Sequence, residues 1–138
     1  MQTGHSLFHA VHQLSRQLTK QINETLEPFG LFSAQWSVLF VLKTKGTLTQ
    51  SELCDYLTVE APPMTRNIQK LVKLGLVRQV QGTDKRMKHI ELTEMALAEY
   101  PNWEQAVIEM NQRLVENFPI ELQEQLTGLL NQWFHQIK

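Results

Sequence analysis

Residues 47–75 read TLTQSELCDYLTVEAPPMTRNIQKLVKLG, and the punctuation of this stretch decides the fold. Thr49-Gln50-Ser51-Glu52 has the spacing of a capping box: the Thr49 hydroxyl accepts from a backbone N–H three residues on, while Glu52 reaches back. The short helix opened there carries Leu53 and Leu57 inward. Thr58-Val59-Glu60-Ala61 forms a tight connection, and Pro62 suits the first turn of a following helix, where its missing N–H would be unpaired anyway. Met64, Ile68, Leu71 and Val72 make the apolar face of that helix, and Gly75 terminates it. Two short helices joined by a turn of about four residues predict a helix-turn-helix.

Beyond Gly75 the period changes. Leu76–Val80 and Met87–Leu92 have strand-like alternation or β-branched content, and Gln81–Arg86 between them carries turn residues, which predicts a β-hairpin. Upstream, Leu7, Val11, Leu14, Leu18, Ile22 and Leu26 recur at helical spacing over residues 5–28, until Pro28 and Gly30 stop the pattern. A second helix runs from Ser33, read as its N-cap, to Lys45, and Gly46 ends it. Downstream, a helix from Thr93 carries Tyr100, Trp103, Val107, Met110 and Leu114, and Pro101 is expected to kink or divide it. Pro119 opens a last helix with Leu122, Leu126, Leu129, Leu130, Trp133 and Ile137 on its apolar side.

The fold class is therefore mainly α with a small β-hairpin: a winged helix-turn-helix over residues 31–93, flanked by helices at 1–30 and 94–138, in a single domain of 138 residues. The terminal helices carry longer apolar stripes than the small central module can cover. Pairing with a second copy about a two-fold axis accounts for them, with 1–30 and 94–138 as the dimerisation region.

The composition, 42% hydrophobic and 20% charged, excludes disorder, collagen-like repeats and a disulfide scaffold. The single cysteine, Cys54, has no internal partner for a disulfide, and no apolar run approaches a membrane span, so a soluble, cytoplasmic protein without membrane contact is expected. The formal net charge is −1. Its distribution is uneven: residues 61–90 hold Arg66, Lys70, Lys73, Arg78, Lys85, Arg86 and Lys88 against the single acid Asp84, a balance of +6, leaving −7 on the remainder. Such segregation marks a phosphate-binding face.

With about 100° per residue, burying 64, 68, 71 and 72 turns Pro63, Thr65, Arg66, Gln69, Lys70 and Lys73 outward. That face combines groups able to read base edges with groups suited to phosphates, and a major groove about 12 Å wide accepts one helix. Lys85 and Arg86 at the hairpin tip, with Lys88 beside them, extend the basic surface toward the neighbouring minor groove.

Taken together, Gln35-Trp36-Ser37-Val38-Leu39, Leu48-Thr49-Gln50-Ser51-Glu52-Leu53, Thr65-Arg66-Asn67-Ile68 with Leu71, Leu74-Gly75-Leu76-Val77, Asp84-Lys85-Arg86 and Leu92-Thr93-Glu94 resemble the MarR family of winged-helix transcriptional regulators. Met95-Ala96 stands where that family often has a glycine. The resemblance implies an interlocked homodimer reading a pseudo-palindromic duplex. It implies Thr65, Arg66, Gln69 and Lys70 as helix contacts, Arg86 as the wing-tip contact, and Asp84 as its salt-bridge partner. It also implies a small-molecule effector site between the DNA-binding and dimerisation regions, for which His12, Trp36, Phe40 and Trp103 are candidates, with Trp133 nearby in character. At helical spacing such aromatic residues are more often plain core, and the two readings are not exclusive.

Cys54 lies on the third helix, next to Leu53 and Leu57, and reads as a buried packing residue rather than a sensor. His5, His9 and His12 share one helical face at a spacing that suits zinc, but no acidic residue accompanies them, so interface or surface histidines are expected and no metal or cofactor is assigned. Neither a glycine-rich phosphate loop nor a nucleophile elbow is present, which argues against an enzyme. The expected function is a sequence-specific, effector-responsive repressor of double-stranded DNA. The alternatives are a protein-interaction module whose basic face docks an acidic partner and a small-molecule binding protein.

Overall fold

The element order follows from local signals, and a computed structural model describing residues 4–82 and 87–138 shows how they assemble. Helix α1 (His5–Leu26) is followed by a 3-10 turn at Glu27–Phe29, where Pro28 stops the α-helical ladder and Gly30 adopts a left-handed φ of 73°. Helix α2 (Ser33–Lys45) begins at Ser33 itself, the residue expected to cap it. Ser33 is already helical, and the cap position belongs to Phe32, whose amide donates to Gln35 Oε1 at 2.9 Å. Gly46, at φ 85°, closes α2 by donating to the Leu42 carbonyl.

Strand β1 (Leu48–Thr49) was not expected from the sequence; two residues are too few for any period to register. It lies in a three-stranded antiparallel sheet of order β1-β3-β2 with β2 (Val77–Gln81) and β3 (Lys88–Leu92). Leu48 pairs with Ile90, Thr49 with His89, and Val77 with Leu92. Helices α3 (Gln50–Leu57) and α4 (Ala61–Lys73) stand between β1 and β2 in the chain. The core of this module is formed by Leu26, Leu31, Val38, Leu39, Leu53, Met64, Ile68, Leu71 and Ile90, all at most 1% exposed.

Val72, expected inside, is 43% exposed. It stands about 100° round from Leu71, past the edge of the stripe that Met64, Ile68 and Leu71 define.

Helix α5 (Glu94–Leu114) is tied to the end of α4 by Thr93, whose hydroxyl donates to the Gly75 carbonyl at 2.6 Å and accepts from the Ala96 amide at 3.2 Å. Pro101 does not divide this helix. Pro101 and Leu97, whose carbonyl loses its partner, are both exposed, so the unpaired acceptor is not buried in the core.

The chain forms two compact units, residues 1–107 and 108–138. The second contains helix α6 (Ile120–Ile137), capped by Pro119 and bearing the exposed side chains Ile120, Leu122, Leu126, Leu129, Leu130, Phe134 and Ile137. In the first unit, α1 exposes Leu7, Phe8, Leu14 and Leu18. Among the described residues no single helix is long and apolar enough to cross a membrane.

Candidate nucleic-acid interface

Caps fix where the helices of the helix-turn-helix begin and end. The Glu52 amide donates to Thr49 Oγ1 at 3.1 Å and the Thr49 amide to Glu52 Oε1 at 2.9 Å, the reciprocal pair expected of a capping box. The Thr49 amide first, and the Thr49 hydroxyl second, hold the Glu52 carboxyl below the ordinary glutamate range. Thr58 ends α3 in the left-handed region, φ 55° and ψ 51°, with its amide bonded to the Cys54 carbonyl. The Val59 amide reaches the same carbonyl, so the chain turns sharply into α4.

Helix α4 starts with Pro62 and Pro63 in its first turn, among the positions whose N–H groups have no intrahelical acceptor. The first turn therefore offers few amide donors to an anion, and attraction to phosphate rests on side chains. Met64, Ile68 and Leu71 anchor the helix on its buried face. Arg66, Gln69, Lys70 and Lys73 are exposed on the opposite side, and with Leu74 they line a shallow depression. Pro63 and Thr65 are half-buried at the margin.

Three contacts set the orientation of α4. The Gln50 side-chain amide donates to Thr65 Oγ1 at 2.7 Å, joining α3 to α4. The buried Gln35 donates through Nε2 to Asn67 Oδ1 at 3.1 Å, joining α2 to α4. The Lys70 ammonium lies 4.7 Å from the centre of the Phe32 ring. The roles of Gln35, Gln50, Asn67 and Phe32 were missed in the sequence. A glutamine three residues after a helix cap is a signal for Gln35, but no local pattern marks the other three.

On the hairpin, Lys88 is exposed at the start of β3, opposite Gln81. Arg78 is paired with Glu91 across the strands at 2.7 Å, so this member of the basic set already has an acidic partner. Asp84, Lys85 and Arg86, the expected wing residues, lie outside the described residues.

The candidate effector residues fall into different surroundings. Trp36 stacks on Tyr100 at 5.5 Å, and Tyr100 meets Trp103 edge-on at 6.1 Å. Trp36 and Trp103 are buried, whereas Phe40, 6.0 Å from Trp36, is exposed, as is His12 on α1. Burial, then the nearby Glu104 charge, raises the Tyr100 phenol pKa, and its hydroxyl is buried without a hydrogen-bond partner. His5 and His9 are exposed, and among the described residues no group of three or more His, Cys, Asp or Glu side chains is placed to hold a metal.

Cys54 is half-buried rather than buried. Desolvation, with the charges of Asp55 and Glu60, raises its thiol pKa and so lowers its reactivity.

Comparison with known proteins agrees with this geometry. A family model described as MarR family matches residues 29–87. The chain is 41% identical over 130 residues to YwoH, an uncharacterised HTH-type transcriptional regulator of Bacillus subtilis, covering 94% of this chain and 95% of that one. Among solved structures it is similar to a cysteine-to-serine mutant of MarR from E. coli complexed with operator DNA, with a TM-score of 0.86 at 26% identity over 96% of this chain and 98% of that one. A MarR transcriptional regulator from Methanosarcina mazei Go1 is equally similar, with a TM-score of 0.86 at 26% identity over 99% of this chain and 91% of that one.

Proposed function

This chain belongs to the MarR family, and from that premise we propose that it is a sequence-specific regulator of transcription that binds double-stranded DNA as a homodimer. The observation that carries the reading is the exposed face of α4, where Arg66, Gln69, Lys70 and Lys73 project from a helix whose opposite face is fully buried. A rigid helix bearing base-reading and phosphate-binding groups fits one major groove. The solved complex of E. coli MarR with operator DNA supports the same reading by similarity.

In this proposal α4 enters the major groove, Arg66 and Gln69 read base edges, and Thr65, Lys70 and Lys73 meet the backbone beside Pro63. Lys85, Arg86 and Lys88 belong to the wing, with Asp84 orienting Arg86. Residues 31–93 make the DNA-binding region, and 1–30 with 94–138 the dimerisation region. Two recognition helices must then stand about one turn of DNA apart, ~34–36 Å. An effector that favours another separation releases the operator, which makes the chain a ligand-responsive repressor. The residues this reading gives to the effector are Trp36, Phe40, Trp103 and His12, of which Trp36 and Phe40 are ring neighbours. The reading assigns the protein to the cytoplasm, where its lone cysteine stays reduced. Its relatives are transcriptional regulators, not enzymes.

The test is selection of bound sequences from a random duplex pool, followed by titration of the enriched duplex in a mobility-shift assay. A palindromic consensus is expected, and Arg66→Ala is expected to weaken binding by about 1–3 kcal/mol with the dimer intact. Unchanged affinity for Arg66→Ala removes α4 from the interface. Binding without sequence preference favours a basic docking face for an acidic protein instead.

A further inference from the structure

An exposed phenylalanine at the start of a helix has no packing reason to be there, yet Phe32, 52% exposed, faces α4 and carries the Lys70 ammonium 4.7 Å from its ring centre. That separation is well within the range at which the negative face of an aromatic ring holds a cation. The ring is itself held from behind. The Phe32 amide donates to Gln35 Oε1 at 2.9 Å, and the other end of the Gln35 side chain donates to Asn67 Oδ1 at 3.1 Å. Asn67 stands three residues before Lys70, on the adjoining side of the same helix. The next amide, of Ser33, donates to Asn23 Oδ1 on α1 at 2.7 Å. The backbone beneath the ring is thus pinned to both α1 and α4, and the ring to the lysine it faces.

We propose that Phe32 is a positioning residue of the DNA interface, holding the Lys70 ammonium at one edge of α4 so that it meets a phosphate already placed. The inference rests on the assignment of α4 to the major groove. Its physical basis is entropic. A lysine side chain has many rotamers, and immobilising it on a ligand forfeits them at the moment of binding. An ammonium kept over a ring has lost part of that freedom beforehand. The ring takes up one side of the cation and leaves the other available for an anion, because attraction to the ring face does not consume the charge. Arg66 and Lys73, on the same exposed face, extend the row of cations along the helix.

The experiment is a double-mutant cycle on duplex affinity. Its probe is the duplex enriched by the wild-type chain from a random pool, or the unselected pool if nothing is enriched. Phe32→Leu keeps an apolar side chain and removes the ring face, and Phe32→Tyr keeps the face. Phe32→Leu is expected to weaken binding by about two- to fivefold, the size of an exposed cation–ring contact. Phe32→Tyr is expected to match the wild type. In a Lys70→Ala background Phe32→Leu is expected to cause no further loss, and Lys70→Ala alone to lower the salt dependence by about one ion.

A merely structural role for Phe32 predicts the same loss in both backgrounds, and that result overturns the proposal. Affinity that is unchanged or tighter in Phe32→Leu overturns it as well, since the ring then competes with DNA for the lysine. If Arg66→Ala weakens binding while the Phe32 cycle shows no coupling, the DNA-binding reading stands and only this proposal falls. A wild-type chain that retards no duplex removes both.

Discussion

Thr58 is the residue at which the chain turns from α3 into α4, and it does so in a conformation that L side chains rarely adopt, φ 55° and ψ 51°. Its Cβ crowds the following carbonyl there, a cost of about 1–2 kcal/mol that glycine escapes. Part of that gain is offset because glycine raises the entropy of the unfolded chain. Thr58→Gly is therefore expected to raise stability by up to about 1 kcal/mol, seen as a higher urea midpoint at an unchanged slope. A lower midpoint would mean that the Thr58 side chain does more for the turn than its strain costs. Cys54, four residues earlier, shows how a single residue read from its neighbours goes half right. Leu53 beside it is fully buried, but Cys54 lies round the helix and lines an open pocket of mixed character with Gln50, Asp55, Val59, Glu60 and Ala61.

For the elements, the capping box of α3 is the contact with the clearest consequence for pH. Thr49 and Glu52 satisfy two amides at the helix start, and Thr49→Ala is expected to cost about 1 kcal/mol of stability. Glu52 has its pKa lowered in the fold, by the Thr49 backbone bond first and the hydroxyl bond second. A carboxyl with a depressed folded pKa stabilises the fold at pH above its unfolded value. That contribution is lost as pH falls through the folded one. The wild-type unfolding midpoint is expected to fall on acidification below about pH 4–5, and Glu52→Gln to flatten that part of the profile. Equal acid sensitivity in the two proteins would show that the box is not formed in solution. The same box orients more than α3, because Thr49 is also a residue of β1 and pairs with His89 on β3. Helix start and sheet edge share one residue, which joins the hairpin's sheet directly to the helix-turn-helix.

At the scale of the whole molecule, the near-zero net charge hides a basic segment offset by an acidic remainder of the chain. The +6 balance of residues 61–90 is trimmed by the Arg78–Glu91 pair, while Arg66, Lys70 and Lys73 share the exposed face of α4. The other conspicuous surface is apolar. Helix α6 exposes seven large hydrophobic side chains and α1 four, far more than scattered surface residues would require. Leu126→Glu combined with Leu130→Glu is expected to convert the proposed dimer into a monomer by sedimentation equilibrium, with helicity retained and duplex affinity lost. A wild-type chain that sediments as a monomer would remove the two-fold arrangement, and with it the expected spacing of half-sites.

The sequence by itself determined the helix-turn-helix, the hairpin and the basic face of α4. Their signals are local: a cap and its partner three residues apart, a stripe at helical period, a proline or glycine at each boundary. The tertiary structure alone decided which side chains hold α4 in place. Gln50 meets Thr65 across 15 residues of chain and Gln35 meets Asn67 across 32, and Lys70 finds Phe32 at the cap of α2. It also decided that Leu48 and Thr49 form a strand, that Val72 lies outside, and that Pro101 is carried within an unbroken helix. Such contacts depend on how two elements dock. No period within either element encodes the distance and angle at which they meet.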